Sequence, residues 1–219
     1  MKPLVAIFAH PDDEAFGPGG MIALEAAKRD VFLICVTDGS AGQNSLRSKK
    51  ELSAIRKEEL LNSAKALGIK GVIFLNYKDG TLSNQYYHKI ANRIENSLKK
   101  IDPDTLLTFE SNGVSGHLDH IAVSFITTYV FKKMKSIRKL LYYCVDEDEG
   151  NIFRDNYFIY FPNGHKHKEM DLKVDISPVW DKKVEALCTH KSQKHDCEKI
   201  LKYLSNRPKF EYFMVLTSK

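Results

Sequence analysis

Short apolar runs that alternate with amphipathic stretches constrain this chain more than any other feature. Leu4 to Ala9 is continuously apolar and of strand length, as a strand buried on both faces requires. Val31–Val36, Val72–Leu75, Leu106–Phe109 and Leu140–Val145 repeat the pattern. Helical spacings lie between them. Residues 20–29 bring Met21, Ile22, Leu24 and Ala27 to one side. Over 51–67, Leu52, Ile55, Leu60, Leu61, Ala64 and Leu67 do the same, and Gly68 is a stop. Further helices are expected over 86–99 and from Asp119 to about Lys135. This alternation predicts βαβ units with right-handed crossovers, and so an α/β fold on a mostly parallel sheet.

A length of 219 residues suits one domain, 1–219. The stretch 146–170 breaks the alternation. It is acidic, then aromatic, then rich in His and Lys, and reads as an insertion or a β-hairpin at a pocket rim. The tail from about 178 reads as two helices and a final strand, Tyr212–Leu216. The net charge of +5 comes from scattered lysines such as Lys132-Lys133 and Lys182-Lys183, read as solvated surface. A basic stripe with interleaved aromatics is missing, which argues against a nucleic-acid partner. The four cysteines show no C-x-x-C pair and read as free thiols in a reducing compartment. No signal peptide and no membrane-spanning run is evident, so a cytoplasmic protein is the expectation. Assembly into a homo-oligomer is left open.

Ligands of open parallel sheets bind beyond the carboxyl ends of the strands. His10-Pro11-Asp12-Asp13-Glu14 follows the first strand there and Asp38-Gly39 the second. Asp79-Gly80 follows the third, and Glu110, His117, Asp119 and His120 follow the fourth. A catalytic divalent metal takes three imidazole or carboxylate ligands and keeps an open position for water. His10, one of Asp12 and Asp13, and one of His117 and His120 could supply that set. The other aspartate would then face water as a general base, and the other histidine would serve as proton donor or oxyanion stabiliser. Gly17-Pro18-Gly19-Gly20 lacks the full G-x-G-x-x-G fingerprint and reads as a tight turn into the first helix.

Ala9-His10-Pro11-Asp12-Asp13-Glu14, with Gly17, Gly19 and Gly20 after it, resembles the first signature of the PIG-L/LmbE-like zinc deacetylases. Gly116-His117-Leu118-Asp119-His120 resembles their second, with Leu118 where proline is usual. Thr37-Asp38-Gly39, Arg56-Lys57-Glu58-Glu59, Tyr77 to Leu82 and His190 to Gln193 extend the likeness over nearly the whole chain. The resemblance implies a Rossmann-like, three-layer α/β/α fold. It implies Zn2+, or another divalent transition metal, on His10, Asp13 and His120. Asp12 would be the general base toward the zinc-bound water, and His117 would stabilise the oxyanion. Asp119 would orient a histidine, and Arg56 and Asp79 would contact the sugar.

The expected reaction is therefore removal of an N-acetyl group from an N-acetylglucosamine-type sugar or glycoconjugate. Two alternatives compete with it. One is a non-catalytic sugar- or nucleotide-binding protein that uses Gly17 to Gly20 as a phosphate cradle. The other is a metal-dependent amidase acting on a non-sugar amide.

Overall fold

The computed structural model describes residues 1–42, 48–154 and 161–218. Its strands are β1 (Leu4–Phe8), β2 (Val31–Thr37), β3 (Gly71–Tyr77), β4 (Thr105–Phe109), β5 (Lys139–Cys144), β6 (Leu172–Asp175) and β7 (Phe210–Thr217). Its α-helices are α1 (Asp13–Phe16), α2 (Gly19–Ala26), α3 (Lys49–Leu67), α4 (Asn84–Ile101), α5 (Leu118–Lys133), α6 (Glu147–Arg154), α7 (Trp180–Thr189) and α8 (Lys194–Ser205). The sheet has seven strands in the order β3-β2-β1-β4-β5-β7-β6. β1 to β5 pair in parallel, and β7 runs antiparallel between β5 and β6.

β1 shows why its sequence is continuously apolar. Leu4, Ala6 and Phe8 face one layer, Val5 and Ile7 face the other, and all five are fully buried. On the first face, Met21, Ile22, Leu60, Leu67, Ala186 and Leu187 bring down α2, α3 and α7. On the second, Ile90, Ile94, Leu98, Val123, Ile126 and Val130 bring down α4 and α5. Each such buried Leu or Ile is worth ~1.5–3 kcal/mol, so both helical layers are held by burial. The result is the three-layer α/β/α architecture expected.

The chain winds outward from β1 through β2 to β3, then returns to place β4 on the other side of β1. The strand order reverses between β1 and β4, and a crevice opens at the carboxyl ends of such neighbours. The first signature follows β1, and the second opens α5 in the segment after β4.

The structure adds elements that the sequence reading did not contain. α1 is a single turn between β1 and α2. β6 is an edge strand before the expected tail. Within 146–170 the described residues form α6, an isolated bridge between Asp146 and His165, and a 3-10 turn at His167–Glu169. The remainder, 155–160, lies outside the described residues, as do residues 43–47. Lys183 is only 2% exposed, so the solvated reading fails for it. Its ammonium lies 2.6 Å from Glu211 and donates to Gly17 O at 2.7 Å. Among the described residues, no helix is long and apolar enough to cross a membrane. The four cysteines are unpaired.

Candidate active site

The loop after β1 buries four polar or charged side chains within five positions. His10, Asp12, Asp13 and Glu14 are each 8% exposed or less. Asp13 Oδ2 accepts the backbone N–H groups of Ala9 and His10 at 3.0 and 2.8 Å. That fixes the carboxylate beneath His10. His10 Nε2 lies 3.1 Å from Asp79 Oδ1 and 3.3 Å from Asp119 Oδ2, so this nitrogen carries the donated hydrogen. Asp119 is itself seated by the N–H groups of Gly80 and Leu82, at 2.8 and 3.0 Å. The loop after β3 and the start of α5 thereby orient one imidazole, as carboxylates do for metal-ligating histidines.

His120 is oriented from the other side. Its Nδ1 donates to Gly113 O at 3.0 Å, which leaves the Nε2 lone pair free. Gly113 has φ +67° and lies so close that an added Cβ would meet His120 Cβ at 2.7 Å. Only glycine permits that approach. The adjacent Val114 also has positive φ, 61°, held where Glu110 Oε1 accepts its N–H at 2.7 Å.

Three lone-pair donors therefore converge. His10 Nδ1 and His120 Nε2 are 3.0 Å apart. Asp13 Oδ1 is 3.2 Å from His120 Nε2, and Asp13 Oδ2 is 3.7 Å from His10 Nδ1. Tetrahedral ligands at about 2.0–2.1 Å from zinc lie about 3.3 Å from one another. With hydrogens on Nε2 of His10 and Nδ1 of His120, these three atoms turn lone pairs toward one another, a place that a shared proton or a metal ion would fill. The surrounding carboxylates draw positive charge to it. Burial lowers the affinity of His10 for a proton, yet hydrogen bonds to Asp119, Asp13 and Asp79 raise its pKa well above the usual value. Burial raises the Asp13 carboxyl, but His120 and His10 hold it well below the carboxylate range. The donor set fits a divalent metal. The nitrogens of His10, His117 and His120 also lie within 4.8 Å of one another, as do donor atoms of His10, Asp79 and Asp119. In the second group the His10 atom is the nitrogen already engaged with carboxylates.

Asp12 points away from Asp13. Its Oδ2 accepts from Arg56 Nη2 at 2.8 Å. The same guanidinium donates to Pro11 O and Gly39 O, each at 2.8 Å, and is 3% exposed. Its Nη1 is 3.7 Å from Asp79 Oδ2. Arg56 and Asp79, read from the sequence as sugar contacts, thus support Asp12 and His10 respectively. Burial pushes the Asp12 carboxyl up to about 6, with Arg56 opposing and Asp13 adding. Burial raises the Asp79 carboxyl, but the hydrogen bond and charge of His10, the Ala41 N–H and Arg56 together hold it at about 2.

His117 caps α5, and its Nδ1 accepts the Asp119 N–H at 3.1 Å. The ring hydrogen is therefore on Nε2. Burial, then the charges of His10 and His120, push its pKa down to about 4, so the ring is neutral at pH 7. Its ring centroid is 4.7 Å from that of His10. A neutral imidazole N–H beside a metal site is a hydrogen-bond donor to a developing oxyanion.

The sequence reading missed two sets of buried polar residues. Ser63 and His190 reach Glu14 from α3 and from the end of α7. Glu211 of β7 accepts the N–H groups of Gly20 and Met21 at 2.8 and 2.7 Å. The α2 N-terminus is thus filled by a carboxylate of the chain itself. Gly20 is needed because an added Cβ would meet Ile176 Cγ2 at 2.5 Å. The phosphate-cradle alternative is corrected on this ground, and the tight-turn reading holds.

The chain is 29% identical over 198 residues to the probable N-acetyl-alpha-D-glucosaminyl L-malate deacetylase 2 of Bacillus cereus, covering 88% of this chain and 84% of that protein. It is 32% identical over 209 residues to the diacetylchitobiose deacetylase of Thermococcus kodakarensis, covering 88% and 70%. The solved N,N'-diacetylchitobiose deacetylase of Pyrococcus horikoshii shares the fold, with a TM-score of 0.72 at 24% identity over 99% of this chain and 84% of that one. Residues 5–131 match the family model described as PIG-L: GlcNAc-PI de-N-acetylase, and the chain belongs to the PIG-L family.

Proposed function

We propose that this chain hydrolyses the N-acetyl amide of an N-acetylglucosamine-type sugar or glycoconjugate, with zinc on His10, Asp13 and His120. The observation that carries this is the convergence of His10 Nδ1, His120 Nε2 and the Asp13 carboxylate, with Asp12 beside them and engaged by Arg56. A bound divalent metal would supply a water of pKa near ~7 and polarise the amide carbonyl. Asp12 takes the proton as water adds to the carbonyl carbon. Its pKa of about 6 leaves it ionised at neutral pH yet basic enough to accept. His117 Nε2–H donates to the carbonyl oxygen as charge develops there. Asp12 then returns its proton to the nitrogen as the C–N bond breaks, giving acetate and the free amine. Arg56 and Asp79 hold Asp12 and His10 in place and border the sugar. Four unpaired cysteines fit a reducing cytoplasm.

The deacetylase relatives support hydrolysis over the non-catalytic binder. The test is released acetate from a panel of N-acetylglucosamine derivatives and simple acyl-amines, with protein stripped by chelator and reloaded with zinc. Activity on the sugars that disappears with the metal and returns with zinc is expected. Full activity of the stripped protein, or turnover confined to the non-sugar amides, contradicts the reading.

A further inference from the structure

Asp12, the proton carrier, has φ 134° and ψ −24°, a backbone conformation that an L residue with a side chain rarely adopts. Such strain persists only where the surroundings hold it. The carbonyl of Asp12 is tied to α1 by the N–H groups of Ala15 and Phe16, and its carboxylate to Arg56. Its N–H is tied by a third group, Glu14, whose Oε2 accepts it at 3.1 Å.

Glu14 lies beneath the site, 1% exposed, and has no part in the chemistry so far. Its other oxygen, Oε1, accepts from Ser63 Oγ and from His190 Nε2 at 2.8 Å. His190 is fully buried and comes from 176 positions further along the chain. Its Nε2 faces a carboxylate oxygen and so donates a hydrogen to Glu14, while its Nδ1 has no hydrogen-bond partner among the described residues. The carboxylate of Glu14 is thus gripped on one side by two distant elements. On the other side it grips the strained peptide of Asp12.

We propose that Glu14, seated by His190 and Ser63, is a positioning residue for the reaction. It holds the Asp12 backbone in its left-handed conformation and so aims the Asp12 carboxylate at the reacting amide. The inference rests on Asp12 as the proton carrier. A purely structural carboxylate would lower stability and activity whatever stood at position 12. A positioning one acts through Asp12.

The experiment is a double-mutant cycle on the fastest substrate of the deacetylation panel, reading kcat, KM, bound zinc and Tm. Glu14→Gln presents an amide N–H₂ to one of the donors that the carboxylate now accepts. It is expected to lower kcat about 10- to 100-fold, as misplacement of a buried hydrogen-bonded group does. KM stays within about twofold and zinc is retained. Placed on Asp12→Asn, the same change is expected to cost less than about twofold, because the group it aims is gone. His190→Gln, whose amide can still donate to Glu14, is expected to keep most of the kcat that His190→Leu loses. Undiminished kcat in Glu14→Gln overturns the inference. So does an equal factor in both backgrounds, or an activity loss that follows zinc loss. If Glu14→Gln fails to fold, the two His190 variants decide alone, and equal activity in both overturns it. Full activity of Asp12→Asn would instead remove the parent reading, and this one with it.

Discussion

Replacing Arg56 by Met removes the cation beside Asp12 without adding bulk. In the structure Arg56 donates to Asp12 at 2.8 Å, and Arg56 is buried. Two unit charges about 4 Å apart interact by about 4 kcal/mol at an effective dielectric of 20, or about three pKa units. Water entering the vacated space reduces that to about two. Asp12 starts at about 6, with Arg56 lowering it. Losing Arg56 therefore raises it, to about 8 by this arithmetic. Asp12 must be ionised to accept a proton, so activity is lost as pH falls through its pKa. The acid limb of kcat/KM moves up in pH by about two units, and activity at pH 7 falls about tenfold. At pH 9 it recovers to within a few-fold. The assay is kcat/KM from pH 5 to 9.5 at saturating zinc, beside a melting curve. A loss by the same factor at every pH, with the limb unmoved, would refute the reasoning. Stability falls as well, by about 3–5 kcal/mol, because a buried carboxylate is left without its partner.

His117→Ala is expected to lower kcat about 100- to 1000-fold with zinc retained, since one oxyanion donor is lost. His117→Gln keeps an N–H donor and should recover part of this. The pKa of His117 is already about 4, so neither variant should move a limb between pH 5 and 8. Gly113→Ala should weaken zinc binding about 10- to 100-fold in a competitive chelator titration, because the added methyl displaces His120 and the carbonyl that orients it. Lys183→Met leaves the buried Glu211 carboxylate at the α2 N-terminus without its cation, so it should lower stability by about 3–5 kcal/mol in urea unfolding. The single change should leave the acid limb where it is.

The parallel strands were legible because a strand covered on both faces must be apolar throughout, as Leu4 to Phe8 is. β6 was not. It is four residues at the sheet edge, Leu-Lys-Val-Asp, with two apolar side chains, and only pairing with β7 makes it a strand. The two signatures were legible because their residue types are unusual at strand ends. What supports them was hidden. Arg56 and Lys183 sit at helical positions where a charge normally faces water, and their burial follows from carboxylates far away in sequence. Ser63 and His190 give no local sign that they meet Glu14. Buried polar contacts between distant segments leave no periodicity, so only the folded chain shows them.

The division of labour between adjacent aspartates is the central claim, and one paired measurement tests it. Bound zinc and kcat are determined for Asp12→Asn and Asp13→Asn. Asp12→Asn is expected to hold about one zinc per chain and to lose kcat by about 100- to 10,000-fold. Asp13→Asn is expected to lose the metal, and activity with it. Zinc lost from Asp12→Asn and kept by Asp13→Asn would contradict the account.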